Sequence, residues 1–377
     1  MRVGNRWMLV ALGSVAIACG RPADDARAPS LTPASKPAPA WLGLVVDHWL
    51  PGPYARGRAP EDRSAVEAEC RSCHAEIARE WAGSQHASSW SSPAFQAAFA
   101  REPLPFCQRC HAPEVPGRAT VPDWAAQIGV GCVSCHVEPD TGQIWSASAG
   151  GPAHPVVRKP AFAGPQACAG CHEFEFPDAR VRDRPLLMQS TIREHAASAA
   201  ADQSCADCHM PARGHGEARH RSHEFLGAYS REMLARSLII TATRERVDGH
   251  ERAVLRLDPG EVGHAVPTGD LLRRLELRLD AIGPDGQPRE LGRRWLRRRF
   301  GPIQQRNGIT VRGEIEDTRV GPGGVVVELS IPADAEAGPV RWTITHQRVA
   351  EASSDPRRAA VEGAIEFASG LLEGRDR

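Results

Sequence analysis

The spacing of apolar residues along the chain changes character near Ser237. Downstream, apolar and polar positions alternate in Leu238-Ile239-Ile240-Thr241-Ala242, Ala253-Val254-Leu255-Arg256-Leu257, Leu275-Glu276-Leu277-Arg278-Leu279, Val325-Val326-Val327-Glu328-Leu329 and Val340-Arg341-Trp342-Thr343-Ile344. A period of two marks strands with one buried face. Turn residues such as Asp248-Gly249 and Pro284-Asp285-Gly286 separate the runs, so the pattern predicts a small β-sandwich over 237–350. The tail, 351–377, reads as helical, with an amphipathic helix from Ala359 to Leu372. Upstream of Ser237 alternation is nearly absent. Short helical signals cover Cys73 to Trp90, Pro93 to Arg101 and Arg184 to Ala201, separated by Pro and Gly clusters.

The N-terminus adds a targeting signal. Arg2 and Arg6 precede an apolar run from Trp7 to Ile17, too short for a comfortable membrane span, and Ala16-Ile17-Ala18-Cys19 follows. Residues 1–18 read as a lipoprotein signal peptide, with Cys19 becoming the lipidated N-terminus; a plain secretory signal ending near Ala18 is the alternative. Either way the chain is exported, to the periplasmic side of a membrane or to the outer membrane. Residues 19–40, with Pro22, Pro29, Pro33, Pro37 and Pro39, form a Pro/Ala-rich tether. An apolar patch, Trp41 to Val46, opens the domain assigned to 41–236.

Cysteine spacing decides the chemistry. Of 11 Cys, ten fall in five copies of CxxCH: Cys70/Cys73/His74, Cys107/Cys110/His111, Cys132/Cys135/His136, Cys168/Cys171/His172 and Cys205/Cys208/His209. Cys19 alone is left over. Paired CxxC knuckles can bind zinc, but five is an odd number and a His follows each knuckle. The spacing suits thioether attachment of a porphyrin to two thiols, with the adjacent imidazole as axial iron ligand. Five covalently bound haem c groups are therefore expected. With only 5% aromatic residues, the porphyrins themselves must fill much of the interior of 41–236.

Function turns on the second axial ligand. Iron with His on both faces only passes electrons, whereas an open face can bind a substrate. His86 lies twelve residues after His74, roughly 18 Å along one continuous helix, and would more naturally close a neighbour's haem than its own.

Several segments resemble the multihaem cytochromes similar to cytochrome c554 and, more distantly, the hydroxylamine oxidoreductase group. They are His74 followed by Trp81, Ser84 and His86; Gly129-Val130-Gly131-Cys132; Met188-Gln189-Ser190-Thr191 leading to Cys208-His209-Met210-Pro211; Ser222-His223-Glu224-Phe225; and Gly263-His264-Ala265-Val266-Pro267-Thr268-Gly269. The last is similar to the GHxxPTG segment of such cytochromes that carry a C-terminal β-domain. The resemblance implies a compact, mostly helical domain with closely stacked, mainly bis-His haems, and distal roles for His86, His223, His154 and His264. His195 departs from the pattern, standing where Trp is expected, and reads either as a new ligand or as an exposed His. His215 and His220 read as solvated, and Met188 and Met210 as packing residues or soft ligands.

Basic and acidic residues balance at 46 each, and loss of the signal would leave the mature chain slightly acidic. The run Arg293-Arg294-Trp295-Leu296-Arg297-Arg298-Arg299 reads as a solvated face that could also pair with propionates or dock an acidic cytochrome. The expectation is an α+β multidomain chain: a mostly helical, irregular multihaem domain followed by an immunoglobulin-like β-sandwich. It would relay electrons between redox partner proteins, either other cytochromes or a quinol-linked membrane complex, at a membrane reached through Cys19, with no nucleic-acid partner. A rival is a reductase or oxidase of small nitrogen or sulfur compounds at one open haem. Against it stand the lack of a CxxCK variant and the presence of only Tyr54 and Tyr229.

Overall fold

The computed structural model describes residues 60–374 apart from 116, 119, 139–140, 148–153, 177–185, 307 and 353–354. The signal peptide, the tether, Cys19 and the Trp41–Val46 patch lie outside the described residues. The N-terminal part is a succession of short helices: α1 (Pro60–Cys73), α2 (Ala75–Ala82), α3 (Pro93–Arg101), α4 (Gln108–His111), α5 (Asp123–Ile128), α6 (Cys132–His136), α7 (Gln166–His172), α8 (Thr191–Ala196), α9 (Cys205–His209) and α10 (Arg231–Ser237). Between them lie the strand pairs β1 (Trp145–Ser146) with β2 (Val157–Arg158), β3 (Glu173–Glu175) with β4 (Leu187–Ser190), and β5 (Ala212–Arg213) with β6 (His220–Arg221).

Two helices are shorter than their sequence signals. The segment expected to run helically from Cys73 to Trp90 stops at Gly83, where the Gly83 N–H donates to the Glu80 carbonyl and the Ser84 N–H to that of Trp81, and His86 then sits on a succession of turns. His74 and His86 are thus not on one rod. The segment after Arg184 forms β4 before α8 begins, because Leu187 to Ser190 pair with β3.

The C-terminal part holds β7 (Leu238–Val247), β8 (His250–Pro259), β9 (Arg273–Ile282), β10 (Pro288–Leu296), β11 (Arg298–Gln304), β12 (Thr310–Asp317), β13 (Val325–Ile331), β14 (Val340–Val349) and β15 (Val361–Leu372). One sheet runs β10-β9-β14-β15, a second β13-β8-β7, and β11-β12 form a hairpin. β7 and β8 join through Asp248 and Gly249, both at positive φ (49° and 78°), which suits a two-residue hairpin between right-twisted strands. Leu255 and Leu257 from β8 meet Leu275, Leu277 and Leu279 from β9 and Ile344 from β14 in one core, each fully buried. Each such side chain contributes about 1.5–3 kcal/mol. Leu234 of α10 joins the same core, so the helical part is continuous with the sheets.

The tail corrects the helix expected over Ala359 to Leu372: it is β15, antiparallel to β14 from Val361↔Val349 to Leu372↔Val340. Gly363 and Gly370 weaken a helix there, while Phe367 packs into the core from the strand. The Arg-rich run was not legible as strand. It forms the end of β10 and the start of β11, with Arg293 on Glu276 and Glu290, Arg299 on Glu316, and Arg298 buried against Glu314.

Candidate haem sites

Each CxxCH segment lies within one helical turn, where residues three apart share a face. The two thiols of a motif therefore point the same way with the histidine directly after them. All ten described cysteines are free, and among the described residues no three His, Cys, Asp or Glu side chains converge on a bare-ion site.

Hydrogen bonds orient the imidazoles. His111 Nδ1 lies 2.7 Å from the Ser89 carbonyl, His136 Nδ1 2.8 Å from that of Trp145, and His209 Nδ1 2.5 Å from that of Leu226. His223 and His264 meet the Arg221 and Ala265 carbonyls at 2.8 and 3.0 Å in the same way. A carbonyl only accepts, so Nδ1 carries the proton and the Nε2 lone pair is left for a metal. Burial, reinforced by neighbouring histidines, pulls His86 down to about 4 and His172 to about 3. Burial also lowers His111, His136, His223 and His264. These rings stay neutral, as ligation requires.

Four motif histidines face a histidine from outside the motifs at nearly one separation. Ring centroids are 6.1 Å apart for His74 and His154, 6.3 Å for His172 and His86, 6.2 Å for His136 and His223, and 6.2 Å for His209 and His264. An imidazole–metal bond of about 2 Å on each side, plus about 1.1 Å from nitrogen to ring centre, gives about 6.2 Å. The spacing is that of two axial ligands on one iron.

His111 is different. Its ring stacks on Phe95 at 3.7 Å, backed by Trp90 and Phe99, and no histidine among the described residues faces it at the separation of the other four pairs. His195 does not fill that role. It is buried beside His264, and a Cβ on Gly263 would lie 3.0 Å from its ring. His215 and His250 are exposed, and His220 instead reaches Glu80 at 3.2 Å.

The accessory segments position these rings. Gly129, at φ 59°, lets the chain lie against the His86 turn, since a Cβ there would come within 2.6 Å of the His86 carbonyl. Val130 then donates its N–H to that carbonyl and accepts from Trp81 Nε1. Gly131 leaves room for the buried Glu67, which accepts the Val133 N–H at the start of α6. Glu80 accepts the His223 N–H at 2.8 Å. Glu194 of α8 takes hydrogen bonds from Thr268 and the Ala265 N–H and pairs with Arg319 at 2.8 Å, fastening the His264 loop to the helical part. Glu80, Glu194 and Arg319 were not found from sequence, because their partners lie 70 or more positions away.

One continuous cavity of about 2230 Å³, lined by all five motif histidines, runs between these groups. That is over twice the size of a small-ligand pocket, and it suits several porphyrins in contact. Thiols of separate motifs adjoin along it, Cys110 with Cys171 and Cys168 with Cys205. The donor set and the ring spacing fit c-type haem.

Residues 69–137, which span the first three motifs, match the family described as cytochrome c554 and c-prime. Among solved structures the chain is similar to the crystal structure of a penta-heme cytochrome c552 from Thermochromatium tepidum, with a TM-score of 0.60 at 20% identity, over 81% of this chain and 97% of that one. No curated protein matches. The fold and the motifs define a covalent haem protein. Residues 69–137 are similar to the cytochrome c554 family, and the fold is similar to that of a penta-heme c-type cytochrome.

Proposed function

We propose that this is an exported pentahaem electron carrier, with one haem on each CxxCH motif and four irons closed by His154, His86, His223 and His264. The observation that carries the reading is the common separation of the four histidine pairs. Bound haem supplies one-electron iron chemistry at each site. The protein's part is to orient the rings and to set the motifs side by side, so that electrons pass along the Cys110–Cys171 and Cys168–Cys205 seam. Cys19 would carry the membrane anchor, and redox proteins of the same compartment, either other cytochromes or a quinol-linked complex, would be donor and acceptor. The two sheets would be an immunoglobulin-like scaffold for the His264 loop.

A second reading draws on His111. With no histidine opposite, its haem would present an open face to a small nitrogen or sulfur compound, making the chain a reductase or oxidase supplied through the other four. Electron paramagnetic resonance of the oxidised holoprotein, with haem content by mass, tests both. Five haems, four of them low-spin and one high-spin, are expected. Five low-spin haems would remove the second reading, and fewer than four would undo the pairing.

A further inference from the structure

Outside the assigned pairs, one buried imidazole has unspent hydrogen-bonding capacity on the cavity wall. His346, on β14, is 6% exposed, lines the same cavity as His111, and its Nε2 has no hydrogen-bond partner. The burial of an unpartnered polar nitrogen is costly unless something meets it. Contacts between α3 and the end of β14 place it on the His111 side. α3 carries Phe95, whose ring stacks on His111, and its Arg101 donates to the Ala350 carbonyl and pairs with Glu362. Glu362 in turn pairs with Arg348, two residues along β14 from His346 and so on the same strand face. The charges on this wall are already matched, Arg273 with Asp270 and Arg348 with Glu362, which leaves His346 as the group able to make a new bond.

We propose that His346 is the distal-side residue of the haem held by Cys107, Cys110 and His111, donating a hydrogen bond through Nε2 to a small anion bound at that iron. This rests on the reading of that haem as open. The four closed sites draw their distal histidines at about 6.2 Å from the facing ring, a separation His346 does not share with His111. A neutral imidazole can present Nε2–H, and a ligand with a terminal acceptor atom, such as nitrite, offers the matching partner. The C-terminal sheets would thereby contribute directly to a haem pocket as well as holding the His264 loop.

The test is titration of the ferric holoprotein with sodium nitrite, followed by the high-spin resonance signal and the Soret band, for wild type, His346→Leu and His346→Gln. In wild type, one high-spin haem should convert to low-spin. His346→Leu should keep that signal and the four low-spin haems but bind nitrite about five- to tenfold more weakly, as for loss of one buried hydrogen bond. His346→Gln, which retains a donor, should recover most of the affinity. Should the leucine variant fail to take up haem, His346→Val, which likewise offers neither a donor nor a ligand, carries the same comparison. Unchanged nitrite affinity in the apolar variant overturns the inference while leaving the open haem standing. A wild type without a high-spin signal, with one appearing in His346→Leu, makes His346 an axial ligand and overturns both. No high-spin signal in any form overturns the open-haem reading itself.

Discussion

Residues 60–237 and the strands that follow have opposite interiors. In the sheets, Leu255, Leu257, Leu275, Leu277, Leu279 and Ile344 are completely buried in one cluster that extends into α10. Among the described residues of the helical part, the buried apolar clusters are two small groups, Trp81 with Ala87 and Ile128, and Ala112 with Val115 and Ala125. The large buried side chains there include charged ones, Arg63, Glu67 and Glu114. A protein interior is close-packed, so the helical part cannot be held by its own side chains to the same degree. On the proposed reading porphyrins complete that interior, whereas the sheets are held by their own side chains.

The largest effect should follow from withholding haem. Chain made without haem attachment should lose the helical far-ultraviolet signal while the strand signal survives, and amide hydrogen exchange should stay slow in β8, β9 and β14. Collapse of both parts together would show that the sheets lean on the haem region, and survival of both would show that the short helices pack without cofactor.

The same contrast explains what could be read in advance. Haem attachment is encoded locally, in two thiols and an imidazole within five positions, so all five motifs were legible. Strands β7, β8, β9, β13 and β14 were legible because apolar residues alternate with polar ones along them, although in β9 the polar Arg274, Glu276 and Asp280 are buried as well. Strands β10 to β12 were not, since Arg293, Arg298 and Arg299 answer acidic residues on neighbouring strands and look like a charge run until the register is known. The facing histidines are set by tertiary structure: His154 and His74 are 80 positions apart, and only resemblance pointed to such partners. His195, which departs from that pattern, reads either as a new ligand or as an exposed His. It is buried, yet its neighbour is His264 and not a CxxCH histidine. His346 sits in a strand with no haem motif near it in sequence, and nothing local marks it.

An intermediate effect is expected where the two parts are joined. Arg319 is 6% exposed and holds both Glu194 on α8 and Asp317. Arg319→Ala would leave Glu194 buried without its cation, at a cost of about 3–5 kcal/mol, and should perturb the His209–His264 haem signal before the others. Burial opposes ionisation of Glu194 and Asp317, but Arg319 and the surrounding hydrogen bonds outweigh it, so both titrate below their ordinary values. A depressed carboxyl stabilises the fold fully above its unfolded value, near 4, and loses that contribution as pH falls through the folded value. Thermal melts between pH 6 and 3 should therefore drop in wild type and drop less steeply in Arg319→Ala. Parallel curves would mean that the junction is held by other contacts.

The smallest effect should come from ion pairs that decorate the sheets without entering the core. Arg341 of β14 meets Glu366 of β15 at 3.1 Å with both side chains nearly half exposed, 48% and 44%. Solvent screening and side-chain entropy leave such a pair with less than about 1 kcal/mol. Arg341→Ala should thus barely move the melting transition, and added salt should erase the difference. β15 is the strand whose sequence read as helix, so the variant also asks what keeps it extended. If Phe367 in the core and the ladder to β14 hold it, the charge is dispensable. A loss of several kcal/mol would instead make β15 dependent on its surface, and the sheets would then resemble the haem region in needing more than a packed apolar interior.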